Sequence, residues 1–279
     1  MGMIKLIDSL EQEKNCSMEV RIMNEPIQVR KMVIDGSADF AILPTTMAAL
    51  LYNKGFDYQI IAIPVWGTLY LLGSDTEVTD WEDLRDRRVH VMAKGMTPDV
   101  LFRFLLKKNG LDPEKDITLD YRFPTHIELA NAVAAGQTEF AVISEPLVSL
   151  TMQNNKAIFP IIDLNHEWKK LHDVPLAQTA LIAKRSIIES NPQLVEELLL
   201  KYEESTKWVN ENPNLASSLI VKYNILPNST VALSAIPRSN LNFVRAKCIN
   251  IQIEDYLKVF YDMNPDIVGG KIPDENFYY

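Results

Sequence analysis

The chain has 279 residues, of which 47% are hydrophobic and 23% charged, and its net charge is −9. This is the composition of a globular protein large enough for one or two domains, and its scattered Lys and Arg, outnumbered 37 to 28 by Asp and Glu, exclude broad phosphate-backbone binding. No run of about 18 apolar residues offers a membrane span, and two cysteines, Cys16 and Cys248, are too few for a disulfide framework and lack metal-ligand spacing.

Residues 3–14 place Ile4, Ile7 and Leu10 on one face and predict an opening helix, and residues 18–23 alternate as a short strand does. An amphipathic helix follows over 27–35, with Gly36 as its stop, then a buried strand over 40–43, a helix over 47–52 and a strand over 58–66. After the stretch 67–84 a second set begins: strand 89–92, helix 98–108, strand 117–123, helix 127–134, strand 140–143, a helix from Leu147 and strand 158–162. This alternation predicts a parallel α/β architecture. Beyond Leu176 one strand, 179–183, precedes helices at 192–210, 214–223 and 249–261.

One motif occurs twice. Gly36-Ser-Ala-Asp39-Phe40-Ala41 returns as Gly136-Gln-Thr-Glu139-Phe140-Ala141, each copy behind an amphipathic stretch, 27–33 and 127–133. A period of 100 residues is too long for a solenoid and fits two similar α/β lobes. The expected division is lobe 1 from 1–67 plus 179–279 and an inserted lobe 2 from 68–178. Two crossings make a hinge, and a hinge between α/β lobes makes a cleft.

Ligands of open parallel sheets bind beyond the carboxyl ends of strands, which selects the candidate residues. Thr45 and Thr46 follow the first repeat strand, and Glu145 follows its counterpart. Gly95, Met96 and Thr97 follow the strand at 89–92, Trp66 stands at the first crossing and Gln178 at the second, within Pro175-Leu-Ala-Gln-Thr179. Thr97 ahead of Pro98 either caps its helix or, with Gly95 allowing close approach, offers amides to an anion. Glu145 either caps or receives a ligand amine, amidine or ring N–H. Trp66 is either core or a stacking platform. Thus Glu145 and Trp66 point to a flat nitrogen heterocycle and Thr97 to an oxyanion. Arg238, in a proline-marked loop, is expected to pair with the acidic surface.

Catalytic signals are few. His90, His126, His166 and His172 lack HExxH or HxH spacing, and no GxSxG, GxxxxGK[ST] or GxGxxG occurs. Asn228-Ser-Thr230 is a short match to a glycosylation sequon. No cofactor or metal is expected.

The stretches 36–41, Trp81-Glu-Asp-Leu-Arg-Asp-Arg-Arg-Val89, Lys107-Lys-Asn-Gly-Leu-Asp-Pro113, 136–146 and the closing Gly269-Gly-Lys-Ile-Pro-Asp-Glu-Asn-Phe-Tyr278 resemble substrate-binding proteins of ABC importers. The group is the one with nitrate, sulfonate, taurine and thiamine-precursor binders, and the resemblance covers nearly the whole chain. It implies a two-lobed type II periplasmic-binding-protein fold with a central cleft, a small polar or heterocyclic solute, an ABC permease as partner, a monomer, and an extracytoplasmic place, periplasmic or lipid-anchored. It also puts Thr45, Thr46, Thr97 and Glu145 on pocket loops. Members begin with a signal or lipoprotein segment and a first strand. The start Met1-Gly2-Met3 shows neither, so lobe 1 is expected to lack that strand, leaving its sheet gapped near the middle and this form less stable and weaker in binding than a longer one. Other readings are a cytoplasmic enzyme on the same fold, such as a menaquinone-pathway lyase or pyrimidine-precursor synthase, and the sensing lobes of a regulator.

Overall fold

The structure is a computed structural model that describes residues 1–13, 18–173 and 176–279; Cys16 and Pro175 lie outside the described residues. In chain order the elements are α1 (Ile4–Gln12), α2 (Pro26–Ile34), β1 (Phe40–Pro44), α3 (Thr45–Asn53), β2 (Tyr58–Val65), β3 (Leu69–Gly73), β4 (Arg88–Val91), α4 (Thr97–Lys108), β5 (Thr118–Asp120), α5 (His126–Ala134), β6 (Phe140–Ser144), α6 (Leu147–Asn154), β7 (Phe159–Asp163) and α7 (Leu164–Leu171). The chain continues with β8 (Thr179–Lys184), α8 (Arg185–Ser190), α9 (Pro192–Glu211), α10 (Pro213–Lys222), α11 (Ser229–Arg238), β9 (Leu241–Arg245) and α12 (Asn250–Met263). Two compact units result: Met1–Trp66 with Ala177–Tyr279, and Gly67–Leu176.

The sheet of the first unit has the order β1-β8-β2-β9. Every pairing in it is antiparallel, because β8 is inserted between β1 and β2, and β9 runs against β2. The expectation of a parallel sheet is therefore corrected here. Alternation along the chain reports that strands and helices take turns, whereas direction depends on which strand is inserted between which. β1 and β9 are the sheet's edges among the described strands. The strand expected at 18–23 does not form: Met18 and Val20 pack on the core while Glu19 and Arg21 pair outside at 2.7 Å, so the alternation chose a face without securing a ladder partner.

That core joins Leu6 and Leu10 of α1, Ile61 of β2, Leu181 of β8, Leu198, Leu199 and Tyr202 of α9, and Phe243 of β9. Each such side chain taken fully from water contributes roughly 1.5–3 kcal/mol. α9 reaches across the sheet because Asn191 caps it, accepting from the Leu194 N–H at 3.2 Å, ahead of Pro192. The carboxyl-terminal tail is stitched down: the Asn53 amide donates to Val268 O and Lys271 O, Gln59 donates to Asn276 O, and the Tyr279 N–H reaches Ile60 O at 3.0 Å.

The second unit's sheet has the order β5-β4-β6-β3-β7. β4 is parallel to β5 and β6, and β3 runs against β6 and β7 on either side of it. Strand β5 is shorter than the expected 117–123. Strands β3 and β9 and helices α7, α8 and α11 stand in stretches where periodicity had indicated no element. Arg238 is the last residue of α11, its guanidinium donating to Ser234 O at 3.1 Å, rather than part of a loop. Asn228 of the sequon match caps the same helix, accepting from the Val231 N–H.

The repeated motif is one device used twice. Gly36 (φ 73°) and Gly136 (φ 69°) take the left-handed conformation that ends α2 and α5. The Gly36 N–H meets Val33 O and the Ser37 N–H meets Met32 O; the Gly136 N–H meets Val133 O and the Gln137 N–H meets Ala132 O. Both caps lead into a strand, β6 buried as expected and β1 alternating between half-buried and buried residues.

Candidate functional site

At one edge of the first unit's sheet the carboxyl ends of β1 and β2 flank the start of β8, for Pro44 and Val65 both oppose Thr179. Four candidates meet there. The Thr45 N–H donates to Gln178 O at 3.0 Å. Thr45 and Thr46 open α3 directly behind Pro44, which carries no capping side chain, and both are fully buried. The Thr45 hydroxyl has no hydrogen-bond partner among the described residues. Trp66 is 5% exposed, its indole N–H donating to Asn242 O at 2.6 Å and its backbone N–H to Asn240 O at 3.2 Å. The ring thus belongs to this edge as a packed side chain. Gln178 is half-buried.

The corresponding edge of the second unit carries the other four. Strands β4 and β6 are parallel and in register, Val91 opposite Val142, so the loops that follow them leave the sheet side by side. Glu145 directly follows β6, is 6% exposed, and its backbone N–H donates to Thr68 O at 2.9 Å. Its carboxylate accepts from Ser149 twice, from the hydroxyl at 2.9 Å and the backbone N–H at 3.2 Å, and so closes the start of α6. The bond between Glu145 and Pro146 is cis.

After β4 the loop turns through two left-handed residues, Ala93 (φ 52°) and Gly95 (φ 77°), into α4. Thr97 is the first helical residue and not the cap; Met96 stands at the cap position, half-buried. The capping work falls to Asp99, a residue that sequence reasoning passed over. Its carboxylate accepts from the Gly95 N–H at 2.7 Å, from Arg103 Nε at 2.8 Å and from the Tyr121 hydroxyl at 2.7 Å. Arg103 also donates to Tyr121 Oη and to Glu114, and Lys94 lies over the Tyr121 ring at 5.2 Å. Burial and the bond to Asp99 hold the Tyr121 hydroxyl protonated well above the usual phenol range. The signal for Asp99 was present: an acid three residues beyond the cap position is where a helix's first turn seeks one.

Two more residues organise this unit. Gly67 (φ 68°) begins it, and a Cβ at that position would lie 2.5–2.6 Å from the side chain of Asn165. Asn165 is 3% exposed, and its Oδ1 accepts from the Leu176 N–H at 3.3 Å. One buried amide in α7 therefore packs on the segment that enters the unit and bonds the segment that leaves it.

Elsewhere, a cavity of about 330 Å³ in the first unit is lined by Lys247, Asn250, Glu254, Asp274 and Tyr278 among others and shares no residue with these loops. His90 is buried beside Phe123 and 3.5 Å from Asp120, and burial lowers its pKa. No metal-binding group of three or more His, Cys, Asp or Glu occurs among the described residues. Cys248 is an exposed free thiol.

The family model for the ABC transporter, phosphonate, periplasmic substrate-binding protein matches residues 2–219. The chain belongs to this family. Its fold is that of the type II periplasmic binding proteins: a solved ABC transporter protein from Parabacteroides distasonis superposes with a TM-score of 0.84 at 25% identity, over 100% of this chain and 95% of the other. The periplasmic aliphatic sulphonate binding protein SsuA of Escherichia coli gives 0.78 at 18% identity, over 100% and 88%. The YtlA protein of Bacillus subtilis (strain 168) is 28% identical over 146 residues, 52% of this chain. That match spans 42% of YtlA, less than half its length.

Proposed function

We propose that this chain is the solute-binding component of an ABC importer, placed outside the cytoplasm, which captures a small polar or heterocyclic solute by closure of its two units and passes it to a membrane permease. The observation that carries the reading is the family match over residues 2–219, with a fold shared over whole chains. Capture of this kind needs no chemical step. A ligand that binds the closed form better than the open one shifts the population toward closure by its differential affinity. The protein acts as a monomer. The contact residues are Thr45, Thr46, Trp66 and Gln178 in the first unit and Gly95, Met96, Thr97 and Glu145 in the second, the loops at the two sheet edges described above.

Native mass spectrometry of protein purified from its host tests this reading, because a tightly held solute travels with a binding protein. The expected result is a bound small molecule whose addition to stripped protein reduces the radius of gyration in small-angle scattering. Turnover of that molecule, or its binding without compaction, would count against capture by closure.

A further inference from the structure

The cavity of about 330 Å³ in the first unit shares no residue with the loops assigned to the solute, and every residue that lines it belongs to that unit. Its size stands near the lower end of the roughly 300–1,000 Å³ of small-molecule sites, so a guest in it is small. Its walls are Lys247 from the turn before α12, Asn250 and Glu254 from α12, and residues of the carboxyl-terminal tail. Some of these side chains are already engaged. The Asp274 carboxylate accepts from the Tyr52 hydroxyl at 2.5 Å and the Asn276 N–H at 3.0 Å, and the Tyr279 hydroxyl reaches Glu196 at 3.5 Å.

Others are not engaged. The Tyr278 hydroxyl is buried and has no hydrogen-bond partner among the described residues. Burial and the negative charge of Glu254 push its pKa up, so it remains a hydroxyl, able both to donate and to accept. Lys247, Glu254 and Glu275 form no ion pair with any described residue, although they line the same small space. A guest bearing only an ammonium group would leave Lys247 opposing it, and one bearing only a carboxylate would face both glutamates. Opposite charges that share a cavity without meeting are instead the complement of a guest that carries both signs, and an unpaired buried hydroxyl gains most from a contact with it.

We propose that this cavity is a second small-molecule site, which takes a short zwitterionic amino acid: the guest's ammonium group bonds the Tyr278 hydroxyl beside Glu254 and Glu275, and its carboxylate pairs with Lys247. The occupant ties α12 to the tail, which is itself bridged to β2 through Tyr278 and Tyr279 at Ile60. Nothing in this assignment depends on the solute that the two units capture. Because Lys247 and Glu254 are exposed, their charges are partly screened and binding is weak, with a Kd of about 1 mM.

The test is nuclear magnetic resonance titration of the full ¹⁵N-labelled chain with 3-aminopropanoate, 4-aminobutyrate and 6-aminohexanoate, set against butylamine and butyrate. At least one zwitterion is expected to shift amides of residues 247–254 and 273–279 and to bind about tenfold or more tightly than butylamine and butyrate. In K247M its advantage over butylamine disappears, in E254Q its advantage over butyrate does, and Y278F weakens it about two- to tenfold. Equal affinity for butylamine and the best zwitterion in the wild type overturns the proposal. So does unchanged zwitterion affinity in K247M, E254Q or Y278F, and so does the absence of shifts at residues 247–254 and 273–279, whether or not other amides respond. Solute bound at the loops of the two sheet edges gives shifts there instead, so failure here leaves the capture reading standing. The two charge changes fall on exposed residues and Y278F removes one oxygen atom, and unchanged amide spectra away from the cavity show that a lost affinity belongs to a folded protein.

Discussion

Replacing Gly67 with alanine is expected to destabilise the second unit by about 1.5–3.5 kcal/mol. The left-handed backbone at φ 68° costs an L-residue roughly 1–2 kcal/mol. The remainder comes from Asn165, whose Cβ, Cγ and Oδ1 lie 2.5–2.6 Å from the new methyl position. Being 3% exposed, that side chain has little room to withdraw, and moving it forfeits the bond from the Leu176 N–H, a net loss of roughly 0.5–1.5 kcal/mol. Urea unfolding followed by the fluorescence of Trp81 and Trp168, both buried in this unit, reads the effect. A double-mutant cycle separates its two parts. In an N165G background, which removes the Cβ together with the amide, the methyl group gains space, so Gly67→Ala should cost only the backbone strain, about 1–2 kcal/mol. Equal costs in the two backgrounds, or a cost below about 0.5 kcal/mol in the wild type, would refute the steric argument.

Three further outcomes are expected. Gly136→Ala, where no atom lies within 4 Å of the added methyl, and Gly36→Ala, where only Lys184 Nζ does at 3.7 Å, should each cost about 1–2 kcal/mol from backbone strain alone, read as lowered thermal midpoints. Trp66→Phe leaves Asn242 O without its indole partner and should cost about 0.5–1.5 kcal/mol in urea unfolding. Asp8 is buried against Lys222 at 2.7 Å and Tyr223 at 3.1 Å, and the bond from Lys222 is the main reason its pKa falls below the ordinary 3.8. The unfolded chain therefore binds more protons at this site than the folded one. The stabilisation is complete above the unfolded value and disappears as pH falls through the folded one. Thermal midpoints taken from about pH 5 down to about pH 3 should consequently fall less in D8N than in the wild type.

The doubled motif was legible because glycine is the residue a left-handed helix end demands, and both copies place it between an amphipathic helix and an apolar run. The same local signal could not tell how the strands pair. Residues 69–73 are apolar and short, and nothing in them says that β3 enters between β6 and β7 against both. Helix α11 ends in Pro237-Arg238, which reads as a loop although proline sits in its last turn. At the candidate site, strand ends picked the loops, but the residues that fix them, Asp99, Ser149 and Asn165, act through partners one helical turn or a whole element away. Asp99 and Glu145 both reach four residues along the chain, from Asp99 back to Gly95 and from Glu145 forward to Ser149. Such links emerge only when the helix start is known to within a residue, and Thr97 in place of Met96 at the cap was enough to hide the first of them.

The place of β8 imposes an order on biogenesis. This strand lies between β1 and β2, yet 113 residues separate the end of β2 at Val65 from Thr179. Until the ribosome has made the whole of Gly67–Leu176, the amino-terminal strands lack the neighbour that joins them, and closing so long a loop is slow. The inserted unit, continuous in sequence, can condense first and bring the ends of that loop into reach. A lesion in the insertion thus delays its host as well, and the segment Met1–Trp66 waits on the nascent chain with two apolar strand edges uncovered.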